Sequence, residues 1–291
     1  MKPKSDPSTD SNTVEFKAPP VFILGCVRSG TTMLRNILRM HPNLASPEET
    51  HFFRWAEPFG TDAFARIVAS NPVLKRHREI DGITEQEFRH LLEESRSRAD
   101  LYHKYMTLFV QRRKPGATRW FDKTPQNVYG AAMIAASMPR VRFVHIVRNP
   151  INVVASLRIG RVMKVGQLVG ACNYWNEAVD SVMVIKRAYP GRVHELRYEE
   201  FVNDPMAHLE TLLRFIEEPF QADWFKDVQT SEVDHTGAGV LGPDDIGRIQ
   251  RICAAGRKRY GYDDVPIADL PPKIAPPAPQ AAEPAAAAKA H

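Results

Sequence analysis

The sequence predicts an α/β protein built on a parallel sheet with helices on both faces. Three observations carry this prediction. Short runs of strand character stand at 20–25, 141–147 and 192–198, with helical patterns between them. The first two runs are almost continuously apolar, as parallel strands buried on both faces must be. The first run ends at Gly25, and a turn of small and polar residues leads into a helix. Strand–helix alternation of this kind is the pattern that produces a sheet sandwiched between helical layers.

Taken in order, Val21-Phe22-Ile23-Leu24 is the apolar heart of a buried strand over 20–25. Residues 31–40 read as a helix with Met33, Leu34, Ile37 and Leu38 on one side, stopped at His41-Pro42. Residues 84–113 look helical throughout, with Phe88, Leu91, Leu92, Leu101, Tyr105 and Leu108 among the apolar positions. A short strand is expected at 118–122, TRWFD, then a helix over 127–138 ended by Pro139. The strand VRFVHIV follows at 141–147, with helices at 149–157 and 168–188, the strand RVHELRY at 192–198, and a helix around 205–217. His145 lies inside its strand as a satisfied core histidine, and Trp120, Trp175 and Trp224 read as core. Ligands of such sheets bind outside the carboxyl ends of the strands, so the places to search follow Leu24, Val147 and Leu196.

Residues 1–18 are polar and residues 266–291 are mostly Ala and Pro, so both are expected to be disordered, leaving 19–265 as one domain. The composition, 43% hydrophobic and 25% charged, is that of an ordinary globular protein. No apolar run approaches the roughly 18 residues that a membrane span requires. The opening MKPKSDPSTDSNT has no signal-peptide core, and the scattered Cys26, Cys172 and Cys253 form no zinc or disulfide pattern, so a cytoplasmic location is expected. Cys26, although inside the first turn, reads as a small buried residue. The net charge of +5 suits an acidic ligand. The basic runs at 75–78 and 257–259 carry no interleaved aromatics, so nucleic acid is not an expected partner.

The turn itself, GCVRSGTT at 25–32, is almost a nucleotide-binding phosphate loop. Gly25 and Gly30 have that spacing and Thr32 holds the hydroxyl position, but Thr31 stands where the lysine belongs and an arginine, Arg28, precedes it. Small residues at a helix N-terminus present backbone N–H groups to an anion. Ser29, Thr31 and Thr32 add hydroxyls, and Arg28 adds a planar fork suited to phosphate or sulfate. Without the lysine that reaches the β- and γ-phosphates, and with no obvious aspartate for Mg²⁺, triphosphate chemistry is disfavoured. Later in the chain, Arg148-Asn149-Pro150 sits at a strand end and opens a helix, and Ser156 follows Arg148 by eight residues.

Together, GCVRSGTT and FVHIVRNPINVVASL resemble the two nucleotide signatures of sulfotransferases that use 3′-phosphoadenosine 5′-phosphosulfate, and LRYEEFVNDP at 196–205 resembles a further segment typical of them. The resemblance spans roughly residues 20–217. It implies a P-loop-like three-layer α/β/α fold with a central parallel sheet of about five strands. It implies that Arg28, Ser29, Gly30, Thr31 and Thr32 grip the 5′-phosphosulfate, that Arg148 and Ser156 grip the 3′-phosphate, and that Tyr198 lies near the nucleotide. No metal is implied. Arginine at position 28 is nearer to the tyrosylprotein and bacterial branches than to the cytosolic branch, which often has lysine there.

Sulfuryl transfer needs a base for the acceptor hydroxyl and cationic donors for the charge that moves. In SPEETHFF, Ser46, Pro47 and Glu49 form a capping box, and the residues alone favour that structural reading. His41-Pro42 followed by Glu48-Glu49 resembles the tyrosylprotein branch, which implies that Glu49 is the base, with Glu48 and His51 as the other candidates. In WFDKTPQN, Lys123 stands at an expected strand end. It reads either as a surface lysine or, by the resemblance, as a group that stabilises charge at the transferred group or the bridging oxygen. A P-loop nucleotide kinase or NTPase and a non-catalytic nucleotide-binding module are the alternative readings. The acceptor hydroxyl remains open among carbohydrate, lipid, peptide tyrosine and small molecule, with residues 52–115 and those beyond about 220 expected to form lid and pocket. The glycines of HTGAGVLG, 235–242, suggest a loop that closes on the nucleotide.

Overall fold

The computed structural model describes residues 16, 18–160, 163–228, 230 and 241–263. Five strands form one parallel sheet: β1 (Val21–Leu24), β2 (Leu44–Ala45), β3 (Arg119–Lys123), β4 (Arg142–Val147) and β5 (Val193–Arg197), in the spatial order β2-β3-β1-β4-β5. The alternating side chains of β1 divide the core into two layers. Phe22 and Leu24 join one cluster, Val21 and Ile23 the other. Being apolar on both faces, β1 and β4 have no solvent side, which is why their sequences show no polar alternation.

On the Phe22 side the helices are α2 (Asp62–Ser70), α3 (Pro72–Asp81), α4 (Glu85–Glu94), α5 (Arg98–Arg113), α6 (Ala131–Ser137), α7 (Pro150–Ile159), α8 (Leu168–Ala188) and α11 (Pro243–Ile252). On the Val21 side are α1 (Thr31–Leu38), α9 (Tyr198–Asn203) and α10 (Pro205–Phe215). A short α12 (Ala254–Arg259) follows α11. The three-layer arrangement agrees with the predicted fold.

Several local expectations change. The single helix over 84–113 is two, because Ser97 accepts a hydrogen bond from the N–H of Asp100 and starts a new helix. The helix over 127–138 opens as a 3₁₀ turn, Pro125–Gly130, before α6. No helix begins at Ser46: residues 46–50 run as irregular chain, so the capping box does not form. Within 52–115, the stretch expected to contribute lid and pocket, Phe64, Val68, Phe88, Tyr102, Tyr105 and Met106 are built into the main core. Trp120 and Trp175 are buried as expected, but Trp224 is only half-buried. The expected terminal segments lie outside the described residues apart from Phe16 and Ala18, and so does most of the glycine loop at 235–242. Among the described residues, no helix is long and apolar enough to cross a membrane.

What the topology decides is where strand ends meet. β1 is central, with β3 on one side and β4 on the other, so the chain leaves β1 in one direction and later returns past it in the opposite one. The crevice at such a reversal is where open α/β sheets bind ligands.

Candidate active site

The turn after β1 is shaped by two close approaches. Gly25 has φ 155° and Gly30 φ 91°, and a Cβ at Gly30 would collide with the Tyr198 ring, one at Gly25 with the Ile146 carbonyl. Arg28 also takes a left-handed conformation, φ 72°, a position where a non-glycine residue is strained. The turn delivers the N-terminus of α1, whose first N–H groups have no intrahelical carbonyl. Ser29 is fully buried and its hydroxyl has no hydrogen-bond partner among the described residues. Buried hydroxyls are normally paired. An unpaired one beside free helix N–H groups fits a loop built around an anion, so these residues suit a phosphate- or sulfate-bearing nucleotide.

The two stretches that resemble nucleotide signatures are in direct contact. Arg28 Nε donates to Ser156 Oγ of α7 at 2.9 Å, and Arg148 Nη1 donates to the Arg28 carbonyl at 3.3 Å. The Arg148 guanidinium lies 4.5 Å over the centre of the Tyr198 ring. Trp175 holds this end of β4 from behind, its indole N–H donating to the Arg148 carbonyl at 2.9 Å. Asn149 caps α7, accepting from the N–H of Ile151 at 3.0 Å, while its own N–H donates to Glu199 Oε1 at 2.9 Å. Strand ends β4 and β5 are thereby tied together beside the loop.

Glu48 and Glu49 part company. Glu48 turns to α1, where Arg35 Nη1 reaches Oε2 at 2.7 Å and Arg39 Nη1 reaches Oε1 at 3.2 Å. Burial alone would raise its pKa, but the two guanidinium groups hold it below the usual carboxylate range. Glu49 turns to the end of β3 and forms an ion pair with Lys123, whose ammonium also donates to Thr32 Oγ1 at 3.1 Å. His51 Nε2 lies 3.4 Å from Glu49 Oε2. Burial again pushes the Glu49 carboxyl up, and the nearby His51 ring with the charge of Lys123 outweighs it, bringing the pKa down to about 2. Burial lowers the Lys123 pKa, against the pull of Glu49.

A buried polar network holds this corner in place, and the sequence reading missed it. Asp122, fully buried, accepts from Thr50 Oγ1 at 3.0 Å, Thr124 Oγ1 at 3.2 Å and Asn127 Nδ2 at 3.0 Å. Thr124 Oγ1 in turn accepts from the N–H of Thr50 at 3.0 Å. Burial raises the Asp122 pKa to about 6, and the nearby Glu49 charge adds to the rise. The one signal in the sequence was adjacency: Asp122 and Thr124 flank Lys123 in FDKTP. His145 is buried as expected but not fully satisfied: Nδ1 lies 3.5 Å from Glu195 Oε1 at the far edge of the sheet, and Nε2 has no hydrogen-bond partner among the described residues. Cys26 is buried too, and burial raises its thiol pKa, away from nucleophilic character.

The nominated residues therefore gather at the carboxyl ends of β1, β3, β4 and β5, with Glu48 alone facing away. A loop for an anion lies beside a carboxylate–lysine pair, a pairing that can take a proton on one side and meet developing negative charge on the other.

A model described as the sulfotransferase family matches residues 19–222. Protein-tyrosine sulfotransferase 1 of Danio rerio is 26% identical over 207 residues, covering 69% of this chain and 54% of that protein; the chain thus matches about half the length of this relative. Among solved structures, the sulfotransferase domain of the Synechococcus PCC 7002 olefin synthase superposes with a TM-score of 0.61 at 21% identity, covering 86% of this chain and 97% of that one. A sulfotransferase from Alicyclobacillus acidocaldarius gives 0.53 at 16% identity, over 86% and 97%. At these identities the structural likenesses speak for the fold.

Proposed function

The chain belongs to the sulfotransferase family, and on that premise we propose that it moves a sulfuryl group from 3′-phosphoadenosine 5′-phosphosulfate to the hydroxyl of an acceptor, with 19–265 as the catalytic unit. The observation that carries this reading is the pairing of Glu49 with Lys123, whose ammonium also reaches Thr32: two residues 74 positions apart pair beside the first turn of α1, and neither is needed to fold a strand-to-helix turn.

In the proposed reaction the acceptor oxygen attacks sulfur, and the bond between sulfur and the 5′-phosphate oxygen breaks. The hydroxyl proton passes to Glu49. The nucleotide leaves as 3′-phosphoadenosine 5′-phosphate, and the electron pair of the broken bond puts a second negative charge on its 5′-phosphate, which Lys123 and Arg28 face. Ser29, Gly30, Thr31 and Thr32 hold the 5′ end through backbone N–H and hydroxyl groups. Arg148 and Ser156 take the 3′-phosphate, and Tyr198 supports the Arg148 guanidinium. Lys123 has a double duty here. While it pairs with Glu49 the carboxylate is a weak base; as Lys123 turns to the donor, Glu49 regains basicity, so proton abstraction follows donor binding.

Calorimetry with 3′-phosphoadenosine 5′-phosphate tests the nucleotide half, and absence of binding overturns the reading. Radiolabelled donor incubated with carbohydrate, lipid, tyrosine-peptide and small-phenol acceptors tests the transfer. The similarity to a protein-tyrosine sulfotransferase puts tyrosine peptides first in that panel.

A further inference from the structure

Glu49 is held from several sides, and one of the groups that holds it has no part in the scheme above. His51 is 4% exposed and adopts φ 58°, a left-handed conformation in which histidine is among the few tolerated non-glycine residues. That turn of the backbone brings its ring back toward Glu49, where Nε2 faces Oε2 at 3.4 Å. The ring of His77, from α3, stacks on it at 6.3 Å and 12°, and His77 Nδ1 bonds the Glu49 carbonyl at 2.9 Å. On the other ring edge, His51 Nδ1 is buried with no hydrogen-bond partner among the described residues.

The unpaired Nδ1 decides the protonation of the ring. A charged imidazolium would bury an N–H with nothing to accept it, a cost that a bare lone pair largely avoids. Burial, Arg54 and His77 also disfavour the charged ring, against the pull of Glu49. A neutral ring that keeps its one proton on Nε2 puts that N–H on the atom 3.4 Å from Glu49 Oε2, whereas the Nδ1–H tautomer would set two lone-pair-bearing atoms against each other.

We propose that His51 is a positioning residue for Glu49: its Nε2–H holds Oε2 while Lys123 holds Oε1, which fixes the carboxylate plane at the mouth of the loop. Each oxygen keeps a second lone pair for the acceptor proton. When Lys123 turns to the donor, His51 is the group that remains, so the carboxylate does not swing away as it becomes basic. His77 acts one step back, fixing the Glu49 backbone and walling off the ring. This inference rests on Glu49 being the base of the proposed function.

Two measurements test it, one of them independent of that function. Nitrogen-15 NMR of the histidine rings at neutral pH, with His51→Gln used to assign the resonance, should show His51 neutral and protonated on Nε2; a charged ring or the other tautomer overturns the proposal. For turnover, His51→Asn keeps a residue that tolerates the left-handed backbone, but its amide reaches only as far as Nδ1. His51→Gln extends a donor to the Nε2 position. With labelled donor and whichever acceptor of the panel above is sulfated, His51→Asn should lower kcat on the order of 10-fold to 10²-fold, the scale of a misplaced catalytic group. Its affinity for 3′-phosphoadenosine 5′-phosphate should stay within about 2-fold of wild type, and His51→Gln should recover most of the rate. Equal losses in the two variants, or none in either, would overturn the positioning role. Failure of the wild-type protein to bind the nucleotide would instead sink the functional reading, and the ring NMR would still decide the state of His51.

Discussion

Glu48 and Glu49 are neighbours with the same side chain, and the structure gives them opposite partners. In a helix both would point outward from a first turn; in the irregular chain that actually forms, successive side chains diverge. Arg39 takes the Ser46 and Pro47 carbonyls at 2.9 and 2.6 Å, bonds that tie this stretch to α1 in place of a helix start. Arg35 and Arg39, four residues apart on one side of α1, then claim Glu48, and Glu49 is left for Lys123. Replacing Glu49 with Gln should cut turnover on the order of 10²-fold or more with nucleotide affinity near wild type, read by calorimetry and labelled-donor assays; full activity would sink the assignment. The same variant carries a stability prediction. The folded-state pKa of Glu49 is depressed from 4.5 to about 2, so its contribution is present above the unfolded value and lost as pH falls through the folded one. Glu49→Gln should therefore be less stable than wild type at pH 7, by at most about 3 kcal/mol, and the gap should close as pH falls from about 4.5 toward 2. Urea unfolding at neutral and acid pH measures both ends. For Lys123→Ala, kcat should fall more than affinity for 3′-phosphoadenosine 5′-phosphate weakens, and parallel losses would reduce Lys123 to a binding group.

At the scale of elements, the loop and helix after β1 depend on Gly30, which is both the left-handed residue at the start of α1 and the surface against which Tyr198 lies. Gly30→Ala should cost about 1–2 kcal/mol for the backbone alone and more for the clash with the ring. Thermal unfolding separates the two: the penalty of Gly30→Ala should be smaller in a Tyr198→Ala background, and an unchanged penalty would mean that the ring is not what forbids a side chain there. The elements that were legible in the sequence are those with an unambiguous physical signature. β1 and β4 are apolar on both faces and bounded by glycine, proline or charge, and α7 begins at an Asn-Pro cap that forms as read. The break between α4 and α5 was written in Ser97 and Asp100, but the apolar positions run on across it, and periodicity outweighed the cap. β2 spans two residues, too short to show any pattern, and it exists only because β3 offers it an edge. Likewise α3 carries its cap in Asn71, which accepts from the Val73 N–H at 2.9 Å, and its stop in Gly82 at φ 78°; its sequence is so polar that only these ends announce it. The misread start at Ser46 shows the reverse case, a good local cap overruled by tertiary bonds from Arg39.

For the molecule as a whole, the sheet order does what no single stretch can. It sets the ends of β1, β3, β4 and β5 side by side, so that groups at positions 28, 49, 123, 148 and 198 gather at one edge of the sheet. The nucleotide stretches could be found in the sequence because a phosphate loop and a strand-end arginine are local patterns. Their relation to each other, and the choice of Glu49 over Glu48, came from family likeness and not from spacing, because contacts across 128 positions leave no periodic trace. The structure adds a bond that makes this relation testable. Arg28 Nε donates to Ser156 Oγ, and Arg148 holds the Arg28 carbonyl, so the part proposed to take the 5′ end and the part proposed to take the 3′-phosphate are one connected unit. If that connection shapes the pocket, the losses in affinity for 3′-phosphoadenosine 5′-phosphate caused by Arg28→Ala and Ser156→Ala should not add. Removing Ser156 leaves the Arg28 fork without its anchor, and a second loss at Arg28 then costs less than it does alone. A double-mutant cycle by calorimetry should give a coupling of roughly 0.5–3 kcal/mol, the range for residues in direct contact. Additivity within about 0.3–0.5 kcal/mol, the behaviour of independent sites, would show that the two halves grip the nucleotide separately and that the bond between them is only a resting contact.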